Sequence, residues 1–315
     1  MVFRYWEAMV GRYYIPHIVG DTFRNRTAVE IVPPGKMGCN DHCLFQDAEG
    51  RWHCIGIINA EVTNGKSFFH AVGDSPIQPM KLLDPIYEVR EGERTCWAPC
   101  NVIVGDTIHF FWTDASEFYG VPQSEDEQGI FCQRHATAPL SDVRDWTHHG
   151  IVFQEEGGAR DPEVVWVGDR WMMIYCRRVD FGGRYGESVV SYRYSDDLFH
   201  WGARAGDLVR DLEDTQWFGS SESPFLYKRE EGWYLFVTHV GPANYHRTKV
   251  WFNEDPTHFG ADENRIGVIF THATQLFEYE GKTWLTNTGC HASYYGFDFP
   301  DNIGVEVAEL AWGAT

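Results

Sequence analysis

One pattern recurs five times along this chain and limits what it can fold into. A polar or small residue opens a short apolar run, a turn built on Gly or acidic residues follows, and a second run rich in aromatics returns. It is clearest at Arg160-Asp161-Pro162-Glu163-Val164-Val165-Trp166, where a charged pair stands directly before an apolar run, Val167-Gly168-Asp169 makes the turn, and Trp171 to Tyr175 completes a hairpin. The other units open at Asp41, Ala98, Glu222 and Ala273, so the spacings between starts are 57, 63, 61 and 51 residues.

Repeats of this size suit one four-stranded blade each. Helical repeats fit poorly, because the runs are short, β-branched or aromatic, and bounded by Gly and Asp turns. The expected fold is therefore all-β: a five-bladed β-propeller of four-stranded antiparallel blades around a central channel, forming a single domain over residues 1–315. The outer hairpins leave a fainter trace. Ser141-Asp142-Val143-Arg144-Asp145-Trp146 and Ser195-Asp196-Asp197-Leu198-Phe199-His200-Trp201 carry Ser-Asp, an apolar residue and a Trp in the same order, which reads as an outer turn with its Trp packed between blades. Roughly the first 30 residues are expected to supply a strand that closes the ring, since an open propeller would leave bare strand edges. Pro33-Pro34-Gly35 reads as a loop entering the first inner strand, and Thr113 to Gly129 as a polar surface loop near the channel mouth.

Composition supports a large core and narrows the partners. Of 315 residues, 43% are hydrophobic and 16% aromatic, and 31 Gly suit short strands joined by tight turns. The 26 basic against 46 acidic residues give a net charge of −20, which argues against nucleic acid and anionic membranes and is compatible with a neutral substrate such as a saccharide. No stretch of 18 apolar residues occurs, and Met1-Val2-Phe3-Arg4-Tyr5-Trp6-Glu7 lacks the basic start and apolar run of a signal peptide, so a cytoplasmic location is the expectation. None of the eight Cys forms a Cys-x-x-Cys pair, so most are expected as small core residues with free thiols. Cys39 with Cys96, and Cys43 with Cys100, are expected at equivalent places in neighbouring repeats.

The chemistry follows from where the repeats begin. Inner strands of a propeller start at one end of the channel, so Asp41, Asp161 and Glu222, read as equivalent blade starts, should meet there. Three converging acids suit glycoside hydrolysis: one carboxyl protonates the leaving oxygen, and another attacks the anomeric carbon or deprotonates water. Crowded like charges raise at least one pKa and keep a general acid protonated near neutral pH. The plain alternative is that the acids satisfy backbone groups at the mouth or hold a structural cation. A non-catalytic saccharide-binding propeller and a scaffold for protein partners are the competing functional readings.

Asn40-Asp41, Arg160-Asp161-Pro162 and Glu222-Ser223-Pro224 resemble the three acidic motifs of the five-bladed propeller glycosidases, glycoside hydrolase families 32, 68 and 43. The Arg-Asp-Pro phrase is closest to families 32 and 68, while Trp97-Ala98-Pro99 is closer to family 43 arabinofuranosidases and xylosidases. The sequence departs from the pattern at His42, where these families commonly have Pro, and at Ser223, where family 32 has Cys. The resemblance implies Asp41 as nucleophile or general base, Asp161 as transition-state stabiliser or pKa modulator, and Glu222 as general acid. Asn40, Trp97 and Arg160 are the expected substrate-binding residues, with Trp97 a candidate sugar-stacking wall. No cofactor is required; a structural ion such as calcium in the channel, held partly through His272, is the one metal the resemblance suggests.

Overall fold

The computed structural model describes residues 13–19, 27–29, 39–58, 65–115, 131–155, 158–179, 188–211, 221–239, 247–288 and 304–314. They form five small sheets, one per blade of a five-bladed propeller. Blade I runs from its inner to its outer edge through Cys39–Gln46, Trp52–Ile58, Ser67–Gly73 and Lys81–Glu88. Blade II comprises Trp97–Val104, Thr107–Ala115, Phe131–Pro139 and Thr147–Glu155. Blade III comprises Arg160–Trp166, Trp171–Arg178, Ser188–Ser195 and Gly206–Asp211, with Gly260–Ala261 added in parallel at its rim. Blade IV comprises Ser221–Lys228, Trp233–His239, Arg247–Asn253 and Gly267–Ile269. Blade V is assembled from both ends of the chain: Leu276–Tyr279, Lys282–Thr288 and Val305–Ala314, then Tyr14–Ile18 outermost.

That last pairing closes the ring. Tyr14 to Ile18 run antiparallel to Ala314 to Leu310, and Thr27–Val29 pairs with the start of the same strand. Inner hairpins turn where the sequence marks them. At Glu280-Gly281 both central residues have positive φ, 51° and 73°, the conformation a two-residue turn needs to match strand twist. The Pro33-Pro34-Gly35 loop and residues 116–129 of the expected surface loop lie outside the described residues, whereas Thr113, Asp114 and Ala115 are not loop but the paired end of the second strand of blade II.

The core lies between blades, and period-two alternation builds it. In the second strand of blade III, Met172, Ile174 and Cys176 face blade IV, whereas Met173 and Tyr175 face blade II. In blade IV, Trp233, Leu235 and Val237 face blade III, whereas Tyr234 and Phe236 face blade V. Both faces of these strands are covered, which is why they read as unbroken apolar runs rather than alternating ones. Full burial of each such side chain stabilises the fold by about 1.5–3 kcal/mol. The two outer turns do what their sequence suggests. Trp146 and Trp201 each donate an indole N–H to the carbonyl three residues back, Val143 at 2.8 Å and Leu198 at 3.2 Å. Trp146 stacks on Phe110 and on Tyr87 of blade I, and Trp201 meets Phe111 of blade II edge-on.

Candidate active site

Every inner strand is irregular at its start, and this irregularity builds the site. In blade III, Arg160 pairs with Cys176 but Glu163 pairs with Ile174, so two residues, Asp161 and Pro162, stand opposite one. The same bulge occurs at Asn40-Asp41, Ala98-Pro99 and Ser223-Pro224. In blade V, backbone bonds from Thr288 to His272 and from Thr286 to Gln275 place Ala273-Thr274 likewise. The first bulge residue adopts a left-handed backbone in four blades: Ala98 at φ 44°, Asp161 at 57°, Ser223 at 48° and Ala273 at 50°. That conformation costs a non-glycine residue roughly 1–2 kcal/mol, and bulges of this kind re-aim side chains next to functional sites.

The bulges correct the alignment expected from sequence. Cys39, Trp97, Arg160, Glu222 and His272 are equivalent; Asn40, Ala98, Asp161, Ser223 and Ala273 follow; Asp41, Pro99, Pro162, Pro224 and Thr274 come third. The three acids therefore occupy three successive positions of the motif, not one. Cys39 corresponds to Trp97 rather than Cys96, and Cys100 to His42 rather than Cys43.

The acids meet nonetheless. The Ser223 hydroxyl donates to Asp41 Oδ1, and the Ser223 N–H donates to Asp161 Oδ2 at 3.1 Å, so one residue of blade IV joins an acid of blade I to an acid of blade III. Arg160 Nη1 lies 3.6 Å from Asp161 Oδ2 and 3.5 Å from Glu222 Oε2, while Nη2 donates to the Ser221 carbonyl at 2.8 Å. All three acids are buried. Burial, and next the charge of Glu222, push the Asp41 carboxyl up to about 6 against the Ser223 hydrogen bond and Arg160. Burial likewise lifts Asp161 to about 6, with Arg160 opposing it and Asp41 adding to it.

A cavity of about 290 Å³, open mouth included, lies among the inner-strand starts. Asp41, Asp161 and Ser223 border it, the equivalent Pro99, Pro162 and Pro224 line it, and His42, Glu163 and Gln275 lie one residue deeper. Burial holds His42 neutral, its pKa lowered to about 4, and pushes the Glu163 carboxyl well above the usual carboxylate range. Sequence reasoning missed Ser223, His42 and Glu163 as site residues. Their signal was present: each lies within two positions of a motif acid on an inner strand.

Asn40 and Trp97 lie elsewhere around the mouth. Asn40 Oδ1 accepts a hydrogen bond from His272 at 2.7 Å, which puts the imidazole proton on Nε2. That nitrogen is thereby occupied, and among the described residues no group of three or more His, Cys, Asp or Glu side chains could hold a metal ion. Trp97 is half-buried with its ring 6.0 Å from Phe131, and it packs against the core between blades I and II. The segments joining second to third strands in blades I to V include residues 59–64, 116–130, 180–187, 240–246 and 289–303, all outside the described residues.

No family model matches the sequence, and no curated protein matches it. Solved structures do. The family 32 β-fructofuranosidase of Bombyx mori superposes with a TM-score of 0.65 at 17% identity over 99% of this chain and 66% of its own. The chain thus spans just under two thirds of that enzyme's length. An α-L-arabinofuranosidase from Lactobacillus brevis gives 0.63 at 12% identity over 91% of this chain and 95% of its own. A family 43 enzyme from Xanthomonas citri, solved with xylotriose, gives 0.61 at 11% identity over 90% of each chain. At such low identity the likeness is one of fold: the chain has the five-bladed propeller of the family 32 and family 43 glycosidases.

Proposed function

We propose that the protein is a glycoside hydrolase acting on a small furanoside or related oligosaccharide, of the fructofuranoside, arabinofuranoside or xyloside class. The observation that carries this reading is the linkage of three buried carboxyl groups from three blades through Ser223 and Arg160. Glu222 is the general acid: its proton passes to the glycosidic oxygen as the bond from that oxygen to the anomeric carbon breaks. Asp41 is the second group. It either attacks the anomeric carbon, giving a glycosyl-enzyme that water then opens, or takes a proton from the attacking water. Asp161 holds the sugar and, with Arg160, sets the charge balance between the other two. The raised proton affinities of Asp41 and Asp161 support a site of crowded acids that cannot all ionise together, so that the group keeps a proton near neutrality.

The test is a screen of aryl furanosides and pyranosides, with the anomer of the released sugar followed by NMR. Glu222→Gln and Asp41→Asn should each lower turnover by about 10²–10⁴-fold, the range for loss of a general acid or base, with the circular dichroism unchanged. Near-wild-type turnover in both variants would overturn the assignment. Saccharide binding without product would point instead to a binding propeller, and transfer to a sugar acceptor to a transglycosylase using the same acids.

A further inference from the structure

We propose that Ser223 is a positioning residue that holds Asp41 and Asp161 in different roles: its hydroxyl keeps Asp41 as the charged acceptor, while its N–H fixes the orientation of Asp161. The proposal rests on the glycosidase reading above.

The argument begins with what the other blades do at the same position. In blades III and V the N–H of the first bulge residue is satisfied by a threonine on the preceding blade. Asp161 N donates to Thr113 Oγ1 at 2.9 Å, and Ala273 N donates to Thr238 Oγ1 at 3.1 Å. Thr113 is the partner of Trp97 in its blade and Thr238 the partner of Glu222, so the position is defined by register. For Ser223 the corresponding residue of the preceding blade is the partner of Arg160, which is Cys176. Cysteine offers no hydroxyl oxygen, and the Ser223 N–H turns to the Asp161 carboxylate instead. The threonine is absent at two of these places, Ile58 before Ala98 and Cys176 before Ser223, and at Cys176 its absence coincides with a contact to an acid.

The side chain makes the second contact. Alanine occupies this motif position in blades II and V, so the left-handed backbone needs no hydroxyl. In blade IV the hydroxyl is present and donates to Asp41 Oδ1. A hydrogen bond donated to a carboxylate favours its ionised form, the form needed by a nucleophile or base. The charged and titratable groups facing Asp41 are Glu222, which raises its proton affinity, Arg160, which lowers it, Asp161, whose own proton affinity Asp41 raises, and the neutral His42 beside it. Ser223 works with Arg160 against burial and the charge of Glu222.

The test is a carboxyl ¹³C titration of the full chain labelled at aspartate, with the Asp41 resonance assigned by its loss in Asp41→Asn. Ser223→Gly is the decisive variant. Glycine tolerates a φ of 48° better than serine and keeps the N–H, so only the hydroxyl is lost. The Asp41 midpoint should rise by about one pH unit in Ser223→Gly, as expected for loss of one hydrogen bond to a charged group. Ser223→Ala should behave alike, and Ser223→Thr, which restores the hydroxyl, should return the midpoint towards wild type. On whichever aryl glycoside the wild type hydrolyses, the acid limb of the kcat/KM profile should move up by the same amount while the alkaline side stays in place. An unmoved Asp41 midpoint in Ser223→Gly overturns the proposal whatever the turnover. A shifted midpoint in a chain whose wild type hydrolyses no glycoside upholds the Ser223 contact but overturns its catalytic purpose, together with the glycosidase reading.

Discussion

His272 of blade V donates from Nε2 to Oδ1 of Asn40 in blade I at 2.7 Å, joining residues 232 positions apart in sequence. The contact lies where the last inner strand meets the first, immediately before Asp41. It continues outward: the His272 N–H donates to Asn287 Oδ1 at 2.8 Å, and Asn287 Nδ2 donates to Glu306 Oε2 at 2.9 Å. Asn40→Ala should leave the buried imidazole N–H without its carbonyl partner and lower stability by about 1–3 kcal/mol. Urea unfolding at pH 7.5 measures this. A midpoint equal to wild type would mean that the contact adds nothing to closure of the ring.

Arg160 touches two acids and one carbonyl. Arg160→Met removes a charge that pulls the proton affinity of Asp41 and Asp161 down. Both should therefore hold protons to higher pH, and the acid limb of kcat/KM should move upward with a fall of about 10- to 100-fold at pH 6, equivalent to one or two pH units of displaced limb. Arg160→Lys should not restore the profile, because a single ammonium cannot reproduce the fork that spans both carboxylates and the Ser221 carbonyl. A profile unchanged in shape would show that Arg160 serves only the fold.

Much of this architecture is legible in the sequence because the repeat writes it five times. Apolar runs such as Met172 to Cys176 identify second strands, and the Trp146 and Trp201 turns identify outer hairpins. What the sequence hides is register at the inner-strand starts. A bulge sets two residues against one, so aligning polar starts by eye cannot distinguish Glu222, Asp161 and Asp41 as first, second and third positions of one motif. The convergence of the acids survives the error because all three positions surround the channel mouth. Ser223 was hidden for the same reason. Only with the register in hand does it become the counterpart of Asp161, and Cys176 the counterpart of Thr113 and Thr238.

Buried histidines make stability depend on pH. In blade I, Arg144 Nη1 donates to His70 Nδ1 at 2.8 Å, His70 Nε2 lies 2.8 Å from His53 Nδ1, and His53 Nε2 lies 3.0 Å from Asp47 Oδ2. Every donor in this chain has an acceptor only if both rings are neutral. In blade II, His135 stacks on Phe111 and bonds His109 at 3.0 Å. Burial, and next neighbouring positive charge, lower His70 and His135 to about 3; burial and His149 lower His109 to about 4. A folded-state pKa below the ordinary histidine value means that the unfolded chain binds more protons between the two. Stability is then full above about pH 6.5 and declines towards pH 4, by up to about 1.4 kcal/mol per pH unit for each ring. Asp41, Asp161 and Glu163 act oppositely, since they take up protons in the folded state before the unfolded one. With His42, also lowered to about 4, the rings outnumber the three carboxyls, so the net slope should be acid-labile. His135→Phe keeps the aromatic stack and should reduce that slope by about one proton, read from urea midpoints at pH 7.5, 6 and 5. An unaltered slope would place the proton uptake elsewhere.

Cys176 gives the sharpest test of the register argument. It is fully buried, and burial pushes its thiol well above the usual range, so it is no nucleophile. Its importance lies in the hydroxyl it lacks. Cys176→Thr should supply blade III with the acceptor that Thr113 and Thr238 supply to their neighbours, and the Ser223 N–H should turn from Asp161 to that oxygen. That bond holds the Asp161 carboxyl down, so its loss should raise the Asp161 midpoint in the same ¹³C titration. Stability should change by less than about 1 kcal/mol, because one N–H acceptor replaces another and the side chains are close in volume. Turnover on the aryl glycoside identified in the screen should nevertheless fall, by about tenfold for one pH unit of misplaced proton affinity. If Asp161 titrates as in wild type, the Ser223 N–H does not choose between these two acceptors, and the broken threonine pattern carries no consequence for the site.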